Sequence, residues 1–241
     1  MGNKFQNFPK SWKTKSKPHL FCPGCGHPIV LKMLGQAIDE MEIAKKTVFL
    51  IDIGCSLLAW DFFNLDTSQT HHGRTIPVAV GFKMARPDSL VIAYVGDGGG
   101  YAIGLQHTLS VALRNNPITT ILVNNTNYGM TGGQMAPTTL LEEKTSTTPL
   151  GRQIDIHGQT IKGPEILAGV VADSAYVARG SVRQPLVLKN YLKRALQTQL
   201  EKQTFSFVEA LSFCPTNWKT AAKETLEQIE KLEEQFVCKE F

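Results

Sequence analysis

The stretch "VGDGGGYAIG", residues 95–104, sets a cluster of glycines and one aspartate between an apolar run and a helical pattern. Its lead, "LVIAYVGD" (90–97), is apolar throughout, as in a strand buried on both faces. Its tail, "YAIGLQHTLSVALRNN" (101–116), repeats apolar residues at helical spacing and stops at Asn115-Asn116-Pro117. A strand that passes through glycines into a helix can offer backbone N–H groups to a phosphate, aided by the helix dipole. The same segment is equally an ordinary tight turn, so the rest of the chain has to decide.

Upstream, "PIVLKMLGQAIDEM" (28–41) predicts a helix and "TVFLIDIG" (47–54) a buried strand. Polar and aromatic residues run through "TSQTHHGR", and "TIPVAVGFKMA" (75–85) follows as a helix with Pro77 in its first turn. Downstream, "ITTILVNN" (118–125) is a third strand and 126–163 a long loop, of a length that is functional or disordered. A helix (164–174), the strand "AYVARG", a helix (186–201), the strand "FSFVEALSF" and a charged amphipathic C-terminal helix complete the chain. Alternating helices and doubly apolar strands predict one doubly wound α/β domain, its mainly parallel sheet covered by helices on both faces. The expected division is a basic arm (1–20), the α/β domain (21–218) and the terminal helix (219–241). Ligands of such sheets sit at the carboxyl ends of the strands, where "IGCS", "GDGG" and "NNTNYG" all fall.

Composition narrows the class. The 241 residues are 42% hydrophobic and 19% charged, with net charge +4, enough for one large core. Lys4, Lys10, Lys13, Lys15, Lys17 and Lys32 precede the first acidic residue, which suits a solvated basic tail or an arm laid on an acidic partner subunit better than a nucleic-acid binder. No run approaches the roughly 18 apolar residues of a membrane span. The N-terminus lacks the apolar core of a signal peptide, and "MGNKFQ" has glutamine where a myristoylation signal needs Ser or Thr. A cytoplasmic protein is expected. There the five cysteines stay reduced and are more often metal ligands or catalysts than disulfides.

Asp97 and Asn125 are separated by one helix and one strand, which returns both to the same sheet edge. Both are hard oxygen donors suited to Mg²⁺, an ion that takes few protein ligands and completes its shell with phosphate and water. The GDG and NN pair is the thiamine-diphosphate motif. It implies Asn127 as a main-chain ligand and Met130 as the bulky side chain propping a bent cofactor. Cys22 and Cys25, in "CPGCG", are held by a Pro-Gly turn that aims two thiolates at one metal; Cys55 and Cys214 stand apart, and Cys238 is left for a packing role. A close pair with two distant singles fits either Zn²⁺ or a [4Fe–4S] cluster.

Taken together, "CPGCG", "IGCS", "HHGR", "GDGGG", "NNTNYGMTGGQMAPTT" and "CPTNW" resemble the β subunit of the 2-oxoacid:ferredoxin oxidoreductases, from about residue 20 to 218. The resemblance is strongest to the branch of 2-oxoisovalerate and general 2-oxoacid enzymes. It implies a thiamine-diphosphate-binding fold of the pyrophosphate type. It also implies CoA-dependent oxidative decarboxylation of a 2-oxoacid, with electrons passing through a [4Fe–4S] cluster to ferredoxin. Carried over, Cys22, Cys25, Cys55 and Cys214 hold the cluster, and Asp97, Asn125 and Asn127 hold Mg²⁺. Ile53, Gly54, Cys55, Ser56, Gly98 and Gly99 line thiamine diphosphate. His72 is the catalytic candidate, at the diphosphate or substrate side, with His71 a bystander and Arg74 pairing with phosphate or a nearby carboxylate.

Two features qualify the match. Members acting on 2-oxoglutarate tend to read "GLTKGQ" where this chain reads "GMTGGQ", so Gly132 cannot pair with a distal carboxylate as a lysine could. The glutamate that activates the cofactor's aminopyrimidine belongs to another domain, which implies an α subunit, with γ and ferredoxin-like δ subunits as further members of such complexes. The competing expectations are a non-redox thiamine-dependent decarboxylase with structural zinc and a non-catalytic assembly module. A nicotinamide dehydrogenase is a poor fit, since "GDGGGYAIG" lacks the G-x-G-x-x-G opening and the four cysteines would go unused.

Overall fold

The computed structural model describes residues 8–13 and 19–241. Seven strands form one sheet, in the spatial order β2-β1-β3-β4-β8-β7-β9. They are β1 (Thr47–Ile51), β2 (Asp66–Gln69), β3 (Leu90–Gly96), β4 (Thr119–Asn124), β7 (Tyr176–Ser181), β8 (Ser206–Leu211) and β9 (Lys239–Glu240). All neighbours pair parallel except β9, which runs antiparallel to β7. A hairpin of β5 (Asn127–Tyr128) and β6 (Gln134–Met135) lies apart from it.

The pleat sorts each strand's side chains to two cores. Phe49, Ile51, Ile92 and Tyr94 pack with Leu31, Leu34 and Ile38 of α1 (His27–Glu40) and with Leu188, Leu192 and Leu196 of α6 (Pro185–Gln197). Val48, Leu50, Val91 and Ala93 face the other way, toward Ile76 and Ala79 of α2 (Thr75–Ala85) and Val111 and Ala112 of α3 (Leu105–Leu113). The doubly wound α/β expectation is met. Of the remaining helices, α4 (Ile154–His157) and α5 (Gly163–Ala168) follow the long loop, and α7 (Pro215–Trp218) follows β8. Helix α8 (Ala222–Gln235) seats Ile229, Leu232 and the following Phe236 on Leu211.

The structure departs from the sequence reading in several places. Strand β2, "DTSQ", is exposed at all four positions, so as an edge strand it carries no apolar alternation to betray it. The expected helix 101–116 opens as a π turn (Gly99–Ile103), the helix expected at 164–174 ends at Ala168, and the terminal helix expected over 219–241 stops at Gln235, after which β9 joins the main sheet. The loop 126–163 is ordered around Arg152, whose guanidinium donates to the carbonyls of Ala136, Pro137, Thr139, Gly158 and Gln159. Of the basic arm, residues 1–7 and 14–18 lie outside the described residues. The described part docks on this chain itself: the N–H groups of Lys10 and Ser11 donate to Asp39, and Trp12 forms a bridge with Phe63.

Candidate active site

Because the central strands are parallel, β1, β3, β4 and β8 release their chain on one side of the sheet. Their exits deliver Cys55, Asp97, Asn125 and Cys214 respectively. A cleft of about 240 Å³ opens there, lined by Ile53, Gly54, Cys55, Ser56, His72, Asp97, Gly98, Gly99, Asn125, Asn127 and Met130. Every residue that sequence reasoning assigned to the cofactor or to Mg²⁺ therefore meets in one wall. His27, Tyr128 and Gly129 share that wall without having been singled out.

Asp97 is buried at the first helical position after β3. Its Oδ1 accepts the Gly98 N–H at 2.8 Å and its Oδ2 accepts the Thr138 hydroxyl at 2.6 Å. Burial pushes its carboxyl up to about 7, and those two hydrogen bonds oppose the shift. A divalent cation in the cleft would restore the charge that desolvation disfavours, and a carboxylate with two donors still has free lone pairs. Asn125 faces the cleft, whereas Asn124 turns into the sheet and donates to Glu209 at 3.0 Å. The two asparagines thus have separate tasks. Asn127 donates through its side chain to the Asn125 carbonyl at 2.7 Å. One acid and two asparagines on adjacent strand exits are a donor set that fits Mg²⁺ beside a diphosphate.

The glycines are bare for a packing reason that the sequence does not show. None of Gly96, Gly98, Gly99 or Gly100 has a positive φ. A Cβ on Gly98 would overlap the Tyr128 ring, one on Gly99 the Asp52 carboxylate, and one on Gly100 Leu122. The Gly98 N–H is already taken by Asp97. Close packing of the wall, rather than room for phosphate alone, excludes side chains here. Gly73 is the opposite case, with φ +62 and main chain of Ile103 and Gly104 against its Cα.

Asp52, which sequence reasoning passed over, anchors the loop that carries His72. It is fully buried, and its Oδ1 accepts the Gly73 N–H at 3.0 Å and the Thr75 hydroxyl at 3.1 Å. An acidic residue one place beyond an apolar strand was the available signal. His72 lies exposed at the cleft rim. Arg74 makes no ion pair with a carboxylate among the described residues; its Nη1 donates to the carbonyls of Gly73 and Ile103, both at 3.2 Å. Met130 stands at the rim, 47% exposed.

The thiols gather beneath the same wall. Burial raises Cys25 and Cys55 to about 12, and each is pushed further by Cys214 and Cys22. Cys55 lines the cleft, and the negative forms of Cys22 and Cys214 act on it and on Cys25 through space. Cys55 abuts the cofactor side, since a Cβ on Gly129 would lie 2.9 Å from its Sγ. All five cysteines are free, and Cys238 sits apart, in the small core under α8. Among the described residues, no group of three or more His, Cys, Asp and Glu side chains is placed to hold a single metal ion. Four free thiols of "CPGCG", "IGCS" and "CPTNW" are a donor set that suits a sulfide-bridged iron cluster, which is held chiefly by thiolates.

The profile described as "Thiamine pyrophosphate enzyme, C-terminal TPP binding domain" matches residues 52–210. The ketoisovalerate oxidoreductase subunit VorA of Methanothermobacter thermautotrophicus is 39% identical over 225 residues, 92% of this chain and 47% of that protein. The 2-oxoglutarate synthase subunit KorB of Methanocaldococcus jannaschii is 38% identical over 202 residues, covering 83% of this chain and 70% of its own. A 2-oxoacid:ferredoxin oxidoreductase subunit beta of Saccharolobus solfataricus is 34% identical, covering 89% and 68%. Among solved structures, the 2-oxoglutarate:ferredoxin oxidoreductase from Magnetococcus marinus, with 2-oxoglutarate, coenzyme A and succinyl-CoA bound, aligns with a TM-score of 0.77. Its identity is 33%, over 88% of this chain and 70% of that one. The chain spans about half the length of the VorA relatives.

Proposed function

The chain belongs to the thiamine pyrophosphate enzymes, within the family of 2-oxoacid:ferredoxin oxidoreductase β subunits, and from that premise we propose that it supplies the cofactor half of a CoA-acylating 2-oxoacid oxidoreductase. Asp97, Asn125 and the main chain of Asn127 would hold Mg²⁺ on the diphosphate, and Ile53–Ser56 with Gly98 and Gly99 would line the cofactor. Cys22, Cys25, Cys55 and Cys214 would hold a [4Fe–4S] cluster. Bound there, the thiazolium supplies an electron sink for the charge left at the acyl carbon when CO₂ departs. The chain's own part is to fix that ring, keep water from it and present His72 at the open side. An α subunit would bring the acid that activates the cofactor, and ferredoxin would take the electrons. The complex would work in the cytoplasm; among the described residues no helix is long and apolar enough to cross a membrane.

One observation carries this reading. The Cys55 thiol lies against Gly129 of the loop that also bears Asn125 and Asn127, so the thiol and diphosphate sites share a wall. Structural zinc has no need of that adjacency, whereas one-electron transfer from cofactor to cluster depends on it. For substrate, a small or apolar 2-oxoacid is favoured. Gly132 adopts φ +105 with open space beside it, a backbone conformation that a lysine rarely takes, so the chain has no cation there for a distal carboxylate.

The test is anaerobic, on the complex with its α subunit. CoA-dependent reduction of a viologen dye is measured with pyruvate, 2-oxoglutarate and branched-chain 2-oxoacids, beside iron, sulfide and thiamine analysis. The branched-chain acid or pyruvate should turn over fastest. Material holding zinc in place of iron would support the non-redox decarboxylase instead.

A further inference from the structure

The single turn α7 does more than continue the chain after Cys214. Asn217 and Trp218 stand three and four residues beyond that thiol, on its face of the turn. Trp218 donates its indole N–H to the Asn125 carbonyl at 3.1 Å. Asn217 has two amide protons and two acceptors in reach of its Nδ2: the Gly129 carbonyl at 2.8 Å and the Cys214 sulfur at 3.6 Å. It is wedged in place, since a Cβ on Gly129 would lie 3.4 Å from its Nδ2 and one on Gly133 3.0 Å from its Cβ. The same Cβ on Gly129 would lie 2.9 Å from the Cys55 sulfur.

We propose that Asn217 is a positioning residue that ties the fourth cluster thiolate to the cofactor loop and sets the potential of the cluster. The proposal rests on the function given above. An N–H aimed at a thiolate stabilises negative charge on sulfur, and hydrogen bonds to cluster sulfurs raise the reduction potential. The second N–H holds Gly129, so one amide fixes both the sulfur's charge and its distance from the thiamine site. Trp218 anchors the same loop without touching sulfur and serves as the internal control.

The experiment uses the anaerobically purified complex carrying Asn217→Asp, Asn217→Ala or Trp218→Phe. Asn217→Asp keeps the shape and removes both donors. Asn217→Ala removes them without adding charge, and it decides the matter if the aspartate variant does not assemble. The readouts are iron per β chain, the midpoint potential and electron paramagnetic resonance line shape of the reduced cluster, and thiamine diphosphate affinity in Mg²⁺. Both Asn217 variants should reduce at a more negative potential than wild type, the aspartate further than the alanine, with altered line shape and weaker cofactor binding. Trp218→Phe should weaken cofactor binding and leave the potential in place. Iron-replete Asn217 variants with the wild-type potential and line shape would overturn the proposal. Iron-free wild type would overturn the function itself, and it is read before any variant is compared.

Discussion

Two buried polar regions meet at Asn124 and are finished in opposite ways. Toward β7 and β8, Arg179 is fully buried, and its charge is paired within the chain. It pairs with Glu209, forks onto both oxygens of Glu165 at 2.7 and 2.6 Å, donates to the Val237 carbonyl, and lies between the rings of Phe236 and Phe241. Toward the cleft, satisfaction stops short. Asp52 Oδ2 and Ser56 Oγ are buried without a hydrogen-bond partner among the described residues, and Asp97, Cys25 and Cys55 are all pushed toward their neutral forms by burial. The buried charges of the Arg179 group find their counter-charges within the chain. A polar group placed to hold a ligand is left wanting the charge or donor that the ligand brings.

That contrast can be broken most forcefully at Arg179. Arg179→Leu would strand the Glu209 carboxylate in the core, and urea unfolding should show a loss of about 3–5 kcal/mol. A loss under about 1 kcal/mol would mean the saturated side is not held by its charges. Asp97→Asn should do the reverse. The unfolding midpoint without ligand should hold or rise, because a desolvated acid is gone, while Mg²⁺-dependent thiamine diphosphate affinity by calorimetry falls on the order of a hundredfold, about 2.7 kcal/mol. Equal affinity would remove Asp97 from the metal site.

A finer probe is pH. Glu143 accepts hydrogen bonds from Thr126 and Leu140, and burial nonetheless raises it from 4.5 to about 7. The folded chain therefore holds this proton where the unfolded chain has lost it, so stability without ligand should fall as pH rises from about 4.5 to 7. Glu143→Gln should flatten that slope, with Asp97, Asp52 and Glu209, raised in the same direction by burial, contributing to what remains. Unchanged slopes in denaturation series would contradict the assignment. The smallest effect belongs to Cys238→Ser: iron content should stay at the wild-type value and stability within about 1 kcal/mol. Loss of iron would bring this thiol into the cluster site.

Much of the cleft was legible because parallel strands leave little choice about where their ends go. Once 47–54, 90–97 and 118–125 read as buried strands, "IGCS", "GDGG" and "NNTN" had to share an edge, and the structure puts them there. Asp52 was passed over because an acid next to an apolar strand looks like any strand end until its oxygens find Gly73 and Thr75. Strand β2 was missed because an exposed edge needs no apolar face. The long loop looked unstructured because its organiser, Arg152, bonds to carbonyls, and carbonyls are present at every residue and leave no mark on a sequence.

The sequence alone determined the layered α/β architecture, the strand exits and the chemical identity of the donors, because burial on two faces and short helical returns are local properties of the chain. Tertiary packing decided which glycines are bare for lack of space, and that Arg74 caps carbonyls while Asn217 reaches both a thiol and the cofactor loop. Those outcomes depend on atoms far apart in the chain meeting within hydrogen-bond distance, and no periodicity encodes that.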